Sequence, residues 1–329
     1  MKTLVARGLT ALGMAALHGT GLAAQPLEVI VFPGGFNWPL WVGNEKGFFA
    51  ANGVEVRITP TPNSVYQMQN LAAGKFDIAI SAVDNVVAYD EGQGEVPLAE
   101  APDFFAFMGG QYGGVRLVAQ PDIKSIAELK GKSLAVDAAT TGYSFVLKKL
   151  LQQGGLAESD YTIERLGGTA ARAEALMQGK TAATILTSPL EIVPEGRGYR
   201  RLANTTDAIG PYQGTLGVAR RSWAKSNEAA LMGYIRGYVE SLDWLAHAPN
   251  RDEAVAIYRK YLPQASEASA TKAWEVMLTS PEGFQKKGKL DRAGIETVLK
   301  LRSEFGRPQK NLTDWSRYVD ESYYRKALQ

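Results

Sequence analysis

The sequence has no cysteine, and only two histidines, His18 and His247, among its 329 residues. Without a thiol there is no disulfide scaffold, thiolate metal site, iron–sulfur cluster or cysteine nucleophile. A lipid-anchored N-terminus of the lipobox type is excluded too, because its cleavage point is a cysteine. So few histidines rule out a multi-histidine metal site and leave a Ser–His–Asp arrangement dependent on His247. No charge predominates: 36 Lys+Arg stand against 34 Asp+Glu, a net of +2. That balance argues against nucleic acid or an anionic membrane as the main partner. Neither a phosphate-binding GxxxxGK[ST] loop nor a GxSxG elbow occurs. Beyond the first residues, no apolar run approaches the roughly 20 needed to span a bilayer.

What is present begins with an address. Lys2 and Arg7 precede a short apolar run over residues 8–17, and Leu22-Ala23-Ala24 offers a small-residue cut site before Gln25. Residues 1–24 are therefore expected to be a secretory signal. Cleavage there removes two bases and no acids, leaving a formally neutral chain. The expected location is the periplasm, with no lipid anchor and no membrane insertion.

The next hundred residues alternate strand and helix. Strands are expected at 27–32, 54–58, 76–81 and 104–108, and helices at 40–51, 64–73 and 83–93, several of them stopped by glycine. Strands regularly separated by helices imply a parallel sheet covered on both faces. Gly113-Gly114 opens a second α/β unit, with strands at 115–119, 133–137, 161–165, 183–186 and 199–202. After a strand at 215–219 the pattern turns helical, over 227–247, 251–261, 266–278, 291–305 and 315–328. Trp244, Trp274 and Trp315 fall in these helices and are expected to be core. The chain thus leaves its first unit once and returns once. The expected division is lobe 1 from residues 25–114 and 220–329, and lobe 2 from residues 115–219. Strands 115–119 and 215–219 would act as hinges on either side of a cleft.

Four stretches carry a family resemblance. Residues 36–49 end in Asn44-Glu45-Lys46-Gly47-Phe48-Phe49, similar to an A-x-E-K-G-Y/F-F helix. Leu71-Ala72-Ala73-Gly74-Lys75-Phe76-Asp77-Ile78-Ala79 resembles L-x-x-G-x-x-D-I/V-A/G. Ile126-Ala127-Glu128-Leu129-Lys130-Gly131-Lys132 and the strand after it resemble I-x-D-L-K-G-K-x-V-A-V. Ala175-Leu176-Met177-Gln178-Gly179 is similar to A-L-x-x-G, although the I-D-A that should follow is Thr181-Ala182-Ala183. In this order they resemble the nitrate/sulfonate/taurine-type solute-binding proteins of ABC importers and their thiamine-pyrimidine-precursor relatives. The resemblance implies a type II periplasmic-binding-protein-like fold of two α/β lobes. It also implies a monomer that hands a small-molecule solute to a membrane ABC permease with its ATPase. No cofactor or metal is implied.

Ligands in parallel α/β sheets sit beyond the carboxyl ends of strands, so strand–helix junctions supply the candidate site. Asn37 and Trp38 follow the first strand and combine a polar group with an apolar wall. Ser81 and Asp84 follow the third, as ligand contacts or helix caps. Thr140, Thr141, Gly142 and Tyr143 open a helix whose free N–H groups suit a carboxylate or sulfonate oxygen. Thr187, Ser188 and Glu191 surround Pro189, which fits the first helical turn with Ser188 as its cap. Tyr212 precedes the second hinge strand, to close over a ligand or pack between lobes. The 140–142 junction favours an organic anion, whereas Asp84 and Glu191 favour an amine-bearing, hydroxylated or heteroaromatic compound. No arginine is placed at a junction, which disfavours a doubly charged inorganic anion. The expected function is capture of a small organic solute, a sulfonate, carboxylate or related compound. The alternatives are a pyrimidine-like heteroaromatic ligand or a periplasmic sensor module. An enzyme of the pyrimidine-precursor synthase kind is disfavoured, because the cysteine-rich motif and site histidine of that family are missing.

Overall fold

A computed structural model describes residues 24–329. The proposed leader therefore lies outside the described residues, except for Ala24. The first half of the chain forms β1 (Gln25–Val31), α1 (Trp38–Glu45), α2 (Phe48–Ala51), β2 (Val54–Pro60), α3 (Ser64–Ala72), β3 (Ile78–Ala82), α4 (Val83–Asp90) and β4 (Phe104–Gly109). There follow β5 (Val115–Ala119), β6 (Ser133–Val136), α5 (Gly142–Gln153), β7 (Thr162–Arg165), α6 (Thr169–Met177), β8 (Ala183–Thr187), α7 (Ile192–Gly196), β9 (Arg200–Asn204) and α8 (Thr205–Ile209). The chain ends in β10 (Thr215–Arg220), α9 (Arg221–Ser226), α10 (Glu228–Ala246), α11 (Arg251–Tyr261), α12 (Glu267–Thr279), α13 (Arg292–Phe305) and α14 (Ser322–Ala327).

These elements build two five-stranded sheets, ordered β2-β1-β3-β10-β4 and β7-β6-β8-β5-β9. Each sheet with its helices is one α/β lobe. Burial of the first sheet follows the two-residue period of a strand. Leu27, Val29, Val31, Ile78 and Ile80 face a core shared with α1 and α10, and Ile30 and Ala79 face the opposite core, shared with α3 and α4. The near-continuous apolar runs of β1 and β3 are what a sheet covered on both faces requires.

The sheets are mixed, which corrects the expectation of a wholly parallel first sheet. β1 pairs parallel with β2 and β3, but β10 runs antiparallel between β3 and β4. In the second sheet β5 is likewise antiparallel to β8 and β9. Apolar periodicity reports which face a strand buries and carries no sign of its direction. The two crossings between sheets run side by side: the Gly113 N–H donates to Tyr212 O (2.7 Å) and the Gln111 N–H to Thr215 O (2.9 Å).

Some boundaries also differ. The expected helix at 40–51 is two helices, because Gly47 adopts φ 72° between them, a conformation that suits glycine. The expected helix at 315–328 is a 3-10 turn (Trp315–Tyr318) followed by α14, since Val319 extends to bridge Ala106 of β4. Trp244, Trp274 and Trp315 are half-buried rather than core. Each carries a cation over its ring, Lys46, Arg251 and Arg292 at 5.1, 5.6 and 5.3 Å, an arrangement favoured by the ring quadrupole.

Candidate ligand-binding site

The strand ends of both sheets converge on a cavity between the lobes. From lobe 1 it is lined by Phe32 beyond β1, Phe36, and Ala82, Asp84 and Asn85 at the β3–α4 junction. Lobe 2 contributes Asp137 beyond β6, Thr141, Gly142 and Tyr143 opening α5, Arg172 of α6, and Thr187 closing β8. Thr215, at the start of β10, completes the wall beside the crossings. The siting follows the rule for open α/β sheets, with both sheets presenting carboxyl strand ends to the same space.

The sequence-selected residues divide here. Asp84, Thr141, Gly142, Tyr143 and Thr187 line the cavity; Asn37, Trp38, Ser81, Thr140, Ser188, Glu191 and Tyr212 do not. Asn37 donates to Phe32 O (2.7 Å), tying down the loop that carries Phe32. Trp38 is fully buried, donates to Ala254 O (3.1 Å) and packs on Tyr258 at 4.5 Å, so it joins α1 to α11. Ser81 accepts from Asn85 Nδ2 (3.0 Å), and neither Ser81 nor Asp84 caps α4, whose N-cap is Ala82. Ser188 donates to Glu191 Oε1 (2.6 Å). It does not cap a helix, for its peptide bond to Pro189 is cis and α7 begins at Ile192. Burial raises the Glu191 carboxyl above its ordinary range. Tyr212 packs between the lobes, its ring 5.7 Å from that of Tyr143.

The N-terminus of α5 holds acceptors supplied by the protein itself. The Gly142 N–H donates to Asp84 Oδ2 (2.6 Å), and the Thr140 N–H and hydroxyl donate to Glu95 Oε2 (3.1 and 2.9 Å). Glycine is required at 142, because a Cβ there would lie 2.5 Å from the Asp84 carboxyl carbon. Asp84 is held from behind by the fully buried Arg302 of α13, at 2.5 Å. That guanidinium also donates to Gln93 Oε1 (3.0 Å) and Thr140 O (3.2 Å).

Arg172 was missed by the sequence reading, which passed over the β7–α6 junction. It is 1% exposed and donates to Thr184 Oγ1 (3.2 Å), Gly167 O (2.7 Å), Thr169 Oγ1 (3.2 Å) and Ile185 O (3.0 Å). No carboxylate is among these acceptors. Burial pulls its pKa down, and the nearby charge of Asp137 opposes that pull. The available signal was Gly167-Gly168-Thr169 with a base one turn on, since a cation near a helix N-terminus works against the dipole. Phe32, Phe36 and Asp137 were missed as well. Around this wall Thr187 Oγ1, Tyr143 Oη and Asp137 Oδ1 are buried without a hydrogen-bond partner. Buried polar groups are normally paired; the Tyr143 and Thr187 hydroxyls lie close enough to act on each other, whereas Asp137 Oδ1 is open to whatever enters. Burial also raises the Tyr143 hydroxyl above its usual pKa, keeping it a neutral donor.

The family model described as NMT1/THI5 like matches residues 37–252. A comparison with curated sequences finds no match. Solved structures are similar in fold. A Bordetella bronchiseptica RB50 protein is 21% identical, with TM-score 0.77, covering 92% of this chain and 96% of its own. The periplasmic nitrate-binding protein NrtA of Synechocystis PCC 6803 is 14% identical, with TM-score 0.75, covering 93% and 89%. The alkanesulfonate-binding protein SsuA of Xanthomonas axonopodis pv. citri, bound to MOPS, is 16% identical, with TM-score 0.70, covering 91% and 99%.

Proposed function

The chain belongs to the NMT1/THI5-like family, and from that premise we propose that it is the substrate-binding protein of an ABC importer. It captures a small organic solute between two lobes and delivers it to a membrane permease with its ATPase. Residues 25–114 and 215–329 would form lobe 1 and residues 115–214 lobe 2, because β10 is built into the first sheet. The hinge would be the paired crossings at 109–115 and 210–215 rather than the strands 115–119 and 215–219, each of which is held within a sheet. The protein would act as a periplasmic monomer. One observation carries the reading: a cavity between the lobes, walled in part by Phe32 and Phe36, gathers the buried Thr187, Tyr143 and Asp137 oxygens. A few convergent polar groups in an apolar pocket are the usual form of a small-molecule site. The nitrate and sulfonate binders of similar fold support the transport role.

Binding fits better than catalysis. His247 is exposed and does not line the cavity, and the lining offers no nucleophile set beside a base. The aromatic walls favour an organic solute over a bare inorganic anion. A flat heteroaromatic compound is the second reading, favoured by Phe32 and Phe36 lining the same cavity as Asp84 and Asp137. The test is thermal shift against sulfonates, aromatic carboxylates and pyrimidines, with scattering of the best binder. A shift of several degrees with compaction is expected, because a solute that binds the native state stabilises it by mass action. No shift and no compaction across the panel would sink the proposal.

A further inference from the structure

Two of the helix N-termini at the cleft, those of α5 and α3, are met across it by a carboxylate of the opposite lobe, while those of α4 and α6 also reach the cavity without one. Asp84, in lobe 1, accepts from the Gly142 N–H of α5 in lobe 2 (2.6 Å). Asp137, in lobe 2, accepts from the Ser64 N–H of α3 in lobe 1 (3.0 Å). The two contacts are reciprocal, and each exists only while the lobes are together. Glu95 adds a third at Thr140 and holds Arg165 of lobe 2 by its other oxygen at 3.0 Å. A fourth contact, from the Gly168 N–H to Pro62 O (3.0 Å), closes the same rim.

Helix N-termini attract anions through free N–H groups and the helix dipole. Here closure fills the α5 and α3 positions from within, so an anionic solute would have to displace a carboxylate to reach either, and at the start of α6 it would meet Arg172 already bonded to Thr169. The charge count inside points the same way. Asp84 and Asp137 bear two negative charges, Arg172 and the Arg302 behind Asp84 two positive, and the sum is zero. A solute without net charge preserves that balance, whereas an anion leaves an uncompensated charge in an enclosed site, which is costly. The Arg172 guanidinium is already engaged by four neutral acceptors of its own lobe. Asp137 Oδ1 remains buried and unpaired on the same wall, and it calls for a donor. The fully buried Thr187 hydroxyl makes no hydrogen bond of full geometry and has only a weak contact with Tyr143 Oη, a second sign that a polar solute is to be met there.

We propose that Asp84 and Asp137 are the specificity-determining residues of the cleft, closing it by mutual capping and selecting a net-neutral, N–H-bearing solute over an anion. This rests on the solute-binding reading above, and its test separates the two. Taurine and ethanesulfonate serve as probes, since they share a sulfonate and differ by an ammonium group; cytosine serves as an uncharged N–H donor. Wild-type protein is expected to bind taurine or cytosine at least tenfold more tightly than ethanesulfonate or nitrate. In Asp137→Asn the cavity loses a negative charge and is left with a net +1, and ethanesulfonate affinity is expected to rise at least tenfold, a gain that misfolding cannot produce. Small-angle scattering without any probe is expected to show compact wild type and an expanded Asp137→Asn. Preference of the wild type for ethanesulfonate or nitrate, or no gain in the variant, overturns the selectivity. Identical ligand-free scattering of the two proteins overturns the latch. If every probe fails, the solute-binding reading is what suffers, and the scattering contrast still decides the latch.

Discussion

Replacing Arg302 by Met should be among the most destabilising single changes in the chain. The Arg302 side chain is wholly buried and the Asp84 side chain is 2% exposed. Methionine fills much of the same space, so the loss is electrostatic more than volumetric. Removing one partner of a buried ion pair strands the other charge, at a cost of about 3–5 kcal/mol. Asp84 would keep the Gly142 N–H and lose its counter-charge, while Gln93 Oε1 and the Thr140 carbonyl would lose their donor. The Tm should fall by about 10 °C, taking roughly 2–4 °C per kcal/mol for a large domain. The direct assay is urea unfolding of wild type, R302M, D84N and the double variant, arranged as a double-mutant cycle. If the pair is coupled as described, D84N/R302M recovers at least about 2 kcal/mol relative to the sum of the single losses. A loss below about 1 kcal/mol in R302M, or strict additivity in the cycle, would refute the reasoning.

Other outcomes follow from particular contacts. Thr187→Val removes a buried hydroxyl that makes only a weak contact with Tyr143; ligand-free stability should change by less than about 1 kcal/mol, while calorimetric affinity for the solute drops severalfold. Phe32→Ala should weaken solute binding about tenfold, the loss of one apolar wall, with ligand-free Tm changed by only a few degrees. Asp90 has a buried oxygen without a partner, and burial pushes its carboxyl up to about 7 from 3.8. The folded state then holds that proton more tightly than the unfolded state, so this contribution is fully present below about pH 4 and is lost as pH rises through 7. Asp90→Asn should therefore gain up to about 4 kcal/mol over wild type at pH 8, and thermal melts across pH should show the gain vanishing near pH 4.

Much of the scaffold was legible because strands buried on both faces write long apolar runs, as in 27–32 and 104–108, and because glycines mark helix ends. Direction was not legible. β10 is as apolar as its neighbours, and only its return from the second lobe makes it antiparallel. The site was half visible for a similar reason. Junction reasoning found Asp84, Thr141, Gly142, Tyr143 and Thr187, each within a few residues of a strand end. It could not tell that the anion-ready N-terminus of α5 would be filled by Asp84, which is remote in sequence. Arg172 escaped because it reads as an ordinary base on an amphipathic helix, and only the fold turns it inward. Pro189 misled in the other direction: its place suggested a helix start, and the chain makes a cis turn instead.

The insertion of β10 between β3 and β4 also dictates an order of assembly. Among the described residues β4 has no strand partner except β10, so until residue 215 is available the first sheet is three strands with a hydrophobic strand left unpaired. The second sheet is built from one continuous stretch, β5 to β9, and needs no strand from outside it. Contacts between residues close in sequence form sooner than those across a long loop. The second lobe should therefore be complete first, and its folding shortens the gap that β10 must cross to zip the first sheet. A pulse of hydrogen exchange during refolding should find the amides of β6 and β8 protected before those of β4.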